Sequence, residues 1–524
     1  MTFSKPNRSD AILAKNRTPN SISPFSGLCA TCNDECPGLC EVGKSAYRGK
    51  EVLYPQPFGR ITAGSEKDYP VDYSHFNIMG TAVGAHGVEA DSDVAIFPNV
   101  DVSTEIGVDN KIKLETPIVI AGMGSTNIAG KHWEGMAAGA AITGSIIVIG
   151  ENVCGMDPKL EIKNGRVTSS PNLESRVNYF RNWYQGAGAT VVQANVEDTR
   201  LGVQEYAIEK LGVEAVEVKW GQGAKDIGGE VKIDSLEKAQ ELKKRGYIVL
   251  PDPEKETVIK AFKAGAFKEF ERHSRVGMVE EEAFHKRVQE LRSAGAKQVF
   301  LKTGAYRPAD LARAVKFASD AKIDLLTVDA AGGGTGMSPW RMMNEWGVPM
   351  VELHSLLYKY LKRLQDQGRF VPNVSLAAGF SLEDHMFKGF ALGAPFVKAI
   401  GMSRTAVLAS FVGENIASTL EQGKPFKQYS HYGNSIEEIC ILATELKEKL
   451  GDDFKKLPPG AIGIYTYFDR LKQGLRQLMC GSRKFRLDLI ERTDIATLTR
   501  EAAEISGITY ITEVDEEEVN QILN

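Results

Sequence analysis

Four of the chain's seven cysteines, Cys29, Cys32, Cys36 and Cys40, fall within "CATCNDECPGLC" at residues 29–40. Their C-x2-C-x3-C-x3-C spacing lets one looping backbone gather four thiolates around a single centre, and thiolates select zinc, copper(I) or iron–sulfur clusters. Structural zinc sites usually pair two C-x2-C arms across a longer spacer. A compact loop with proline directly after Cys36 points to a [4Fe–4S] cluster, with structural zinc and disulfides as the alternatives. A cluster close to an organic redox cofactor would conduct electrons, whereas one standing alone would staple an arm. The remaining cysteines, Cys154, Cys440 and Cys480, are isolated from one another and read as reduced core thiols.

Two glycine-rich stretches supply a candidate for the second cofactor. "VDAAGGGTGMSP" (328–339) follows an apolar strand with Gly332, Gly333, Gly334 and then Thr335, so side-chain-free backbone can pass close to a flat ring or a phosphate. "SLAAGFSLEDHMFKGFALGAPFVKAIGMSR" (375–404) reads as strand, glycine turn at Gly379, helix, and a second strand ending at Gly401. Phosphate-binding barrels receive their anion at the loops after strands seven and eight, where a helix N-terminus and free N–H groups meet it. Flavin mononucleotide (FMN) carries such a phosphate.

The elements that must position these residues follow a rhythm. Between about 115 and 405, short apolar runs alternate with helical patterns: "TPIVIAG", "GSIIVIG", "AVEVKWG", "QVFLKTG", "DLLTVDA", "NVSLAAG" and "PFVKAIG". Such alternation indicates βα units around a parallel sheet, and runs that end in small residues suit strands leaving a barrel at its ligand-binding face. "SLEKAQELKKRG" and "PADLARAVKFASDAKI" space apolar residues at three and four, as helices on the outer wall of a barrel would. The expected fold is α/β: a (β/α)8 TIM barrel over 105–410, with a turn-rich N-terminal extension holding the cysteine motif over 1–104. A mostly helical C-terminal region packed on the barrel would occupy 411–524.

The chain of 524 residues carries 63 basic and 68 acidic side chains, a formal charge of −5, with no basic stripe. Nucleic acid and anionic membranes are therefore poor partners, and small molecules or proteins better ones. The start "MTFSKPNRSDAILAKNRTPNS" lacks a secretory pattern, and no run approaches about eighteen apolar residues, so a cytoplasmic protein is expected.

Taken in order, "GQGAKDIGGE" (221–230), "VDAAGGGTGMSP", "AAGF" and "AIGMSR" resemble the FMN-binding synthase domain of glutamate synthases. "GAIGIYTYFDRLKQGLRQLMCGSRKFRLD" (460–488) is similar to the tail of the FMN-binding glutamate synthase family, a form lacking the glutaminase domain. The resemblance implies FMN as cofactor and, residue by residue, a set of roles. Lys302 of "VFLKTG" would lie near the flavin ring and stabilise electron density on it. Lys225 of "QGAK" would grip substrate carboxylates, with Lys219 and Gln222 lining the flavin side. Glu151 of "IGENVCG" would accept from the substrate nitrogen or relay a proton. Met123, Gly124 and Ser125 of "AGMGST" would touch the isoalloxazine, and Gly333, Gly334, Thr335, Gly379, Gly401 and Ser403 the ribityl chain or phosphate.

The resemblance also has breaks. The family's post-barrel cysteines are missing from "GMSRTAVLASFVGENIASTLEQGK", so the N-terminal cysteines would replace that electron entry, served by a ferredoxin or an NAD(P)H-dependent reductase subunit. With no N-terminal nucleophilic cysteine, ammonia would come free or from a partner. The family's G-G-Q becomes Gly228-Gly229-Glu230, and a carboxylate beside a dicarboxylate substrate adds like-charge repulsion. Glu230 thus counts among the catalytic candidates, and the substrate is either 2-oxoglutarate, a related 2-oxo acid, or an amino acid bearing an amine. The implied reaction is reduction by FMN of an imine formed from a 2-oxo acid and ammonia or an amine. A different amine substrate, an electron-transfer subunit of a larger complex, and a homo-oligomer all remain open.

Overall fold

The computed structural model describes residues 28, 32–38, 40–49, 69–221, 230–267, 269–333, 346–424 and 427–524. Eight parallel strands close on themselves: β1 (Ile118–Met123), β2 (Ile146–Ile149), β3 (Ala189–Ala194), β4 (Ala215–Lys219), β5 (Gln298–Thr303), β6 (Leu325–Asp329), β7 (Asn373–Ala377) and β8 (Val397–Met402). Closure comes from β8 lying beside β1, with Ile400 opposite Ile118 and Gly401 opposite Val119. All seven apolar runs picked out in the sequence are strands of this barrel. The eighth, β3, was missed because "ATVVQA" carries Thr190 and Gln193 and leads into Asn195, not glycine.

Side chains alternate along a strand, so the inward set can be followed upward. Val119, Val148, Val191, Ala215, Phe300, Leu325 and Ala399 form a dry plug closed from below by Ile106, Ile112 and Leu114 of a hairpin, Thr104–Ile106 with Ile112–Leu114. A fully buried Phe300 alone contributes about 2–3 kcal/mol of transfer free energy.

Helices used below are α1 (Glu41–Arg48), α2 (Trp133–Ile142), α3 (Leu236–Lys244), α4 (Glu256–Lys263), α5 (Pro308–Asp320), α6 (Arg404–Glu421) and α7 (Pro459–Gly481). The amphipathic α5 lays Leu311, Ala314, Val315 and Ala318 on the barrel, as its spacing predicts. The other expected outer helix does not. α3, from "SLEKAQELKKRG", belongs to an antiparallel sheet inserted between β4 and β5, in the order Glu230–Ile233, Phe270–His273, Ile248–Leu250. Its buried Leu236, Ala239 and Leu242 pack with Ile233, Val249 and Phe270, a small core of its own; helical periodicity records that a face is covered, not by what.

The C-terminal region is mostly helical, and its strand Ile495–Thr497 pairs with Phe76–Ile78 from the N-terminal side. α6 and α7 cross almost backbone to backbone. A Cβ on Gly413 would stand 2.4 Å from Pro459 O, and one on Gly463 2.1 Å from Ala409 O. Neither obstacle is a movable side-chain tip, so Gly413→Ala must push the helices apart. Overpacking of this kind is expected to cost about 1–3 kcal/mol, read as a lowered urea midpoint; an unchanged midpoint would contradict the crossing.

Candidate functional site

Two residues above the apolar plug, the lumen changes character. Gln193, Glu217, Lys302 and Thr327 face inward from β3 to β6, and one further step brings Lys219 and Asp329. Lys302 Nζ lies 3.2 Å from Asp329 Oδ2, Lys219 Nζ 2.8 Å from Glu151 Oε1, and Gln193 Nε2 donates to Glu217 Oε1 at 2.5 Å. All are buried or nearly so. Across the lumen the β7, β8 and β1 wall is made of small residues: Ala377, Gly401, Ala121 and Gly122. A Cβ on Gly401 would stand 2.8 Å from Ala377 Cβ, and one on Gly122 2.9 Å from the Gln193 amide.

Burial opposes charge on Lys302, but the Asp329 and Glu217 carboxylates outweigh it and raise its pKa above the ordinary lysine value. Burial also raises the Glu217 carboxyl, with Lys302, Gln193 and Lys219 pulling the other way.

Strand ends supply the rest. Met123, Gly124 and Ser125 sit half-buried where β1 ends; Gly124 has no room for a side chain, because Glu151 O would be 2.3 Å from its Cβ. Its carbonyl accepts from Arg176 Nη1 at 3.0 Å. Gly379, after β7, adopts φ +72°, the left-handed region that favours glycine. Ser403 ends β8, donates to Ala121 O at 3.2 Å, and leaves the first N–H groups of α6 without a side-chain cap. Gly333 approaches Asp329: a Cβ there would lie 2.7 Å from Oδ1.

Met123, Gly124, Ser125, Glu151, Lys219, Lys302, Gly333, Gly379, Gly401 and Ser403 therefore gather at one mouth, the C-terminal end of the barrel. Gln222, Lys225, Gly334, Thr335 and Cys29 lie outside the described residues. Glu230 opens the first strand of the inserted sheet, in register with His273. Sequence reasoning overlooked Gln193, Glu217 and Asp329. The signal for Glu217 was present in "AVEVK", where a charge inside a buried strand needs a partner, and Gln193 was lost with β3.

These residues fit a flavin. Buried Gln193 Oε1, Thr327 Oγ1 and Ser375 Oγ find no partner among the described residues, which suits a flat group carrying both donors and acceptors. The small-residue wall leaves the ring a face, and Gly379 with the α6 N-terminus suits its phosphate.

Of the cysteine motif, Cys40 is buried and caps α1, its sulfur accepting Gly43 N–H at 3.3 Å; Cys36 Sγ accepts Gly38 N–H at 3.4 Å. The loop rests on α6, where Asn415 Nδ2 donates to Cys36 O at 2.9 Å and Gly38 fits under Val412. Cys32, Cys36 and Cys40 form no disulfide with any described residue. Cys154 and Cys440 are core thiols as expected, each pushed up to about 12 by burial, whereas Cys480, near the end of α7, is only half-buried.

Among the described residues, no helix is long and apolar enough to cross a membrane. Solved structures with a similar chain path include a flavocytochrome b2 variant with sulfite bound, 12% identical over 81% of this chain and 76% of that one, TM-score 0.45. A chimeric (S)-mandelate dehydrogenase is 11% identical over 81% and 88%, TM-score 0.44. No curated protein matches the sequence. The family pattern described as "Conserved region in glutamate synthase" matches residues 68–239 and 272–410, more than half of the chain. On that match the chain belongs to the glutamate synthase family and is an FMN-dependent barrel oxidoreductase.

Proposed function

We propose that this protein reduces an imine formed from a 2-oxo acid, 2-oxoglutarate or a relative, and ammonia or an amine. The observation that carries the reading is the lumen with two walls, one of small residues and one holding the Lys219–Glu151 and Lys302–Asp329 pairs. When bound, FMN supplies the hydride. The chain's part is to hold the imine against the ring and compensate charge. Lys302 faces the negative charge that reduction places on the ring. Glu151, already paired with Lys219, is the proposed proton holder for the substrate nitrogen. Lys225 is the proposed clamp for substrate carboxylates. Glu230, at the start of the inserted sheet, favours a substrate with an additional amine as the second reading.

Electrons would enter through a [4Fe–4S] cluster held by Cys29, Cys32, Cys36 and Cys40, delivered by a ferredoxin or an NAD(P)H-dependent reductase in the cytoplasm. Two observations support it. Backbone N–H groups donate to the Cys36 and Cys40 sulfurs, as they do around thiolate-bound clusters. The loop also lies along α6, which starts where β8 ends; Arg404 to Asn415 spans about 16 Å of helix axis.

Anaerobic, FMN-loaded, reduced protein is mixed with 2-oxoglutarate plus ammonium, and separately with 2-oxoglutarate alone, while the oxidised-flavin absorbance and the iron content are followed. Reoxidation with both components only is the expected result. Reoxidation with neither would redirect the reading to amine-bearing substrates, and protein without iron would remove the cluster from it.

A further inference from the structure

The family pattern matches up to residue 239 and again from 272; residues 240–271 between them, which include Arg245, Tyr247 and the strand Ile248–Leu250, lie outside it. The inserted sheet docks on the loop after β2 and, through Arg275 and Glu197, on the segment after β3. Tyr247 donates its hydroxyl to Asn152 Oδ1 at 3.2 Å, and its ring fills the space beside Gly155, where a Cβ would stand 1.6 Å from that hydroxyl. Arg245 Nη1 donates to Gly155 O at 2.7 Å and Asp157 O at 2.8 Å. From the far end of the insertion, Ser274 Oγ takes the Asn152 side-chain amide at 3.4 Å and an Arg272 Nη1 bond at 2.9 Å.

Asn152 is thus held by three parts of the chain: by Tyr247, by Ser274, and through its own N–H by Asp198 Oδ2 at 2.8 Å. It sits at φ +66°, in the left-handed region that asparagine adopts more readily than most residues other than glycine. The preceding residue is Glu151. Its carbonyl lies against Gly124 and its carboxylate meets Lys219, so a displacement of the 151–152 backbone is one residue from that ion pair.

We propose that Tyr247 is a positioning residue for the Glu151–Lys219 pair, acting through Asn152. The insertion thereby sets how much of the Lys219 charge is offset at the mouth. The proposal rests on the reading above that this pair stands beside the flavin ring. Losing the Tyr247 hydroxyl frees the Asn152 side chain, loosens Glu151 from Lys219, and leaves the ammonium less neutralised.

Sulfite is a suitable probe because it adds to an oxidised flavin and leaves negative charge on the ring, so its dissociation constant reports positive charge nearby and requires no knowledge of the substrate. With FMN-loaded protein, Glu151→Gln should tighten sulfite about tenfold and Tyr247→Phe about threefold, the latter at unchanged FMN content. Because both act through one pair, Tyr247→Phe added to Glu151→Gln should give no further tightening. A merely space-filling Tyr247 would leave sulfite unmoved in Tyr247→Phe; that result, or full additivity in the double variant, overturns the proposal. Should Tyr247→Phe lose FMN, Arg245→Ala loosens the same loop from its other anchor and faces the same criterion. If Glu151→Gln itself leaves sulfite unchanged, the pair is not beside the ring, and the site reading falls together with the proposal.

Discussion

Lys302→Met is expected to lower stability by about 3–5 kcal/mol and flavin-dependent turnover by about 100- to 1000-fold, and the two losses should separate. Lys302 is 3% exposed and lies 3.2 Å from Asp329. Methionine fills a similar volume but leaves Asp329 as a buried carboxylate without its cation. The pair's contribution has a definite pH window. A lysine whose folded pKa is raised contributes stability in full below its unfolded value and loses it only as pH climbs through the folded one, so neutral pH lies on the plateau. Adding Asp329→Asn removes the stranded charge and should recover most of the stability, measured as urea midpoints. It should not recover turnover, because in the proposed reaction Lys302 is the cation that faces the reduced ring. Lys302→Met with undiminished turnover would remove Lys302 from the chemistry.

Much of the barrel is legible in the sequence, for an identifiable reason. Parallel strands covered on both faces read as unbroken apolar runs, and those leaving the mouth end in glycine or alanine. β3 departs from the apolar pattern at Gln193 and is followed directly by the polar Asn195, residues that serve the lumen and the loop after it. The inserted sheet escapes for the opposite reason: its core is an ordinary small amphipathic core, and α3 looks the same on a barrel wall as on a separate sheet.

The site is legible where chemistry shows against an apolar background. Lys302 inside "VFLKTG" and Lys219 inside "AVEVKWG" needed buried partners, and Asp329 and Glu151 provide them. The group behind Glu151 left no such trace. Asn152, Asp198, Tyr247 and Arg272 come from four separate segments, each unremarkable alone, and only the closure of the barrel with the docking of the insertion brings them together.

Within that group Asp198 carries the second large effect. It is buried, and Oδ2 accepts the N–H groups of Asn152 at 2.8 Å and Asn195 at 3.4 Å, while Oδ1 has no partner among the described residues. Burial first, and then the Glu151 charge, push its pKa up to about 7, against the opposing pull of those N–H groups and of Arg272. The sign follows from proton counting. Between about pH 4 and 7 the unfolded chain has released this proton and the folded one retains it, so stability falls as pH rises, levelling off above about 7. At about 1.4 kcal/mol per pH unit, the cost on the alkaline plateau is about 4 kcal/mol. Asp198→Asn keeps an oxygen for the two N–H groups and has no charge to bury, so it should be more stable than the natural protein at neutral pH and above. The gap between the two should widen by about 3 kcal/mol from pH 5 to pH 8, read as diverging unfolding midpoints. Parallel midpoints across that range would mean that Asp198 ionises at an ordinary pH in the folded chain. In that case the N–H groups and Arg272 offset its burial, and a permanent negative charge stands behind Glu151.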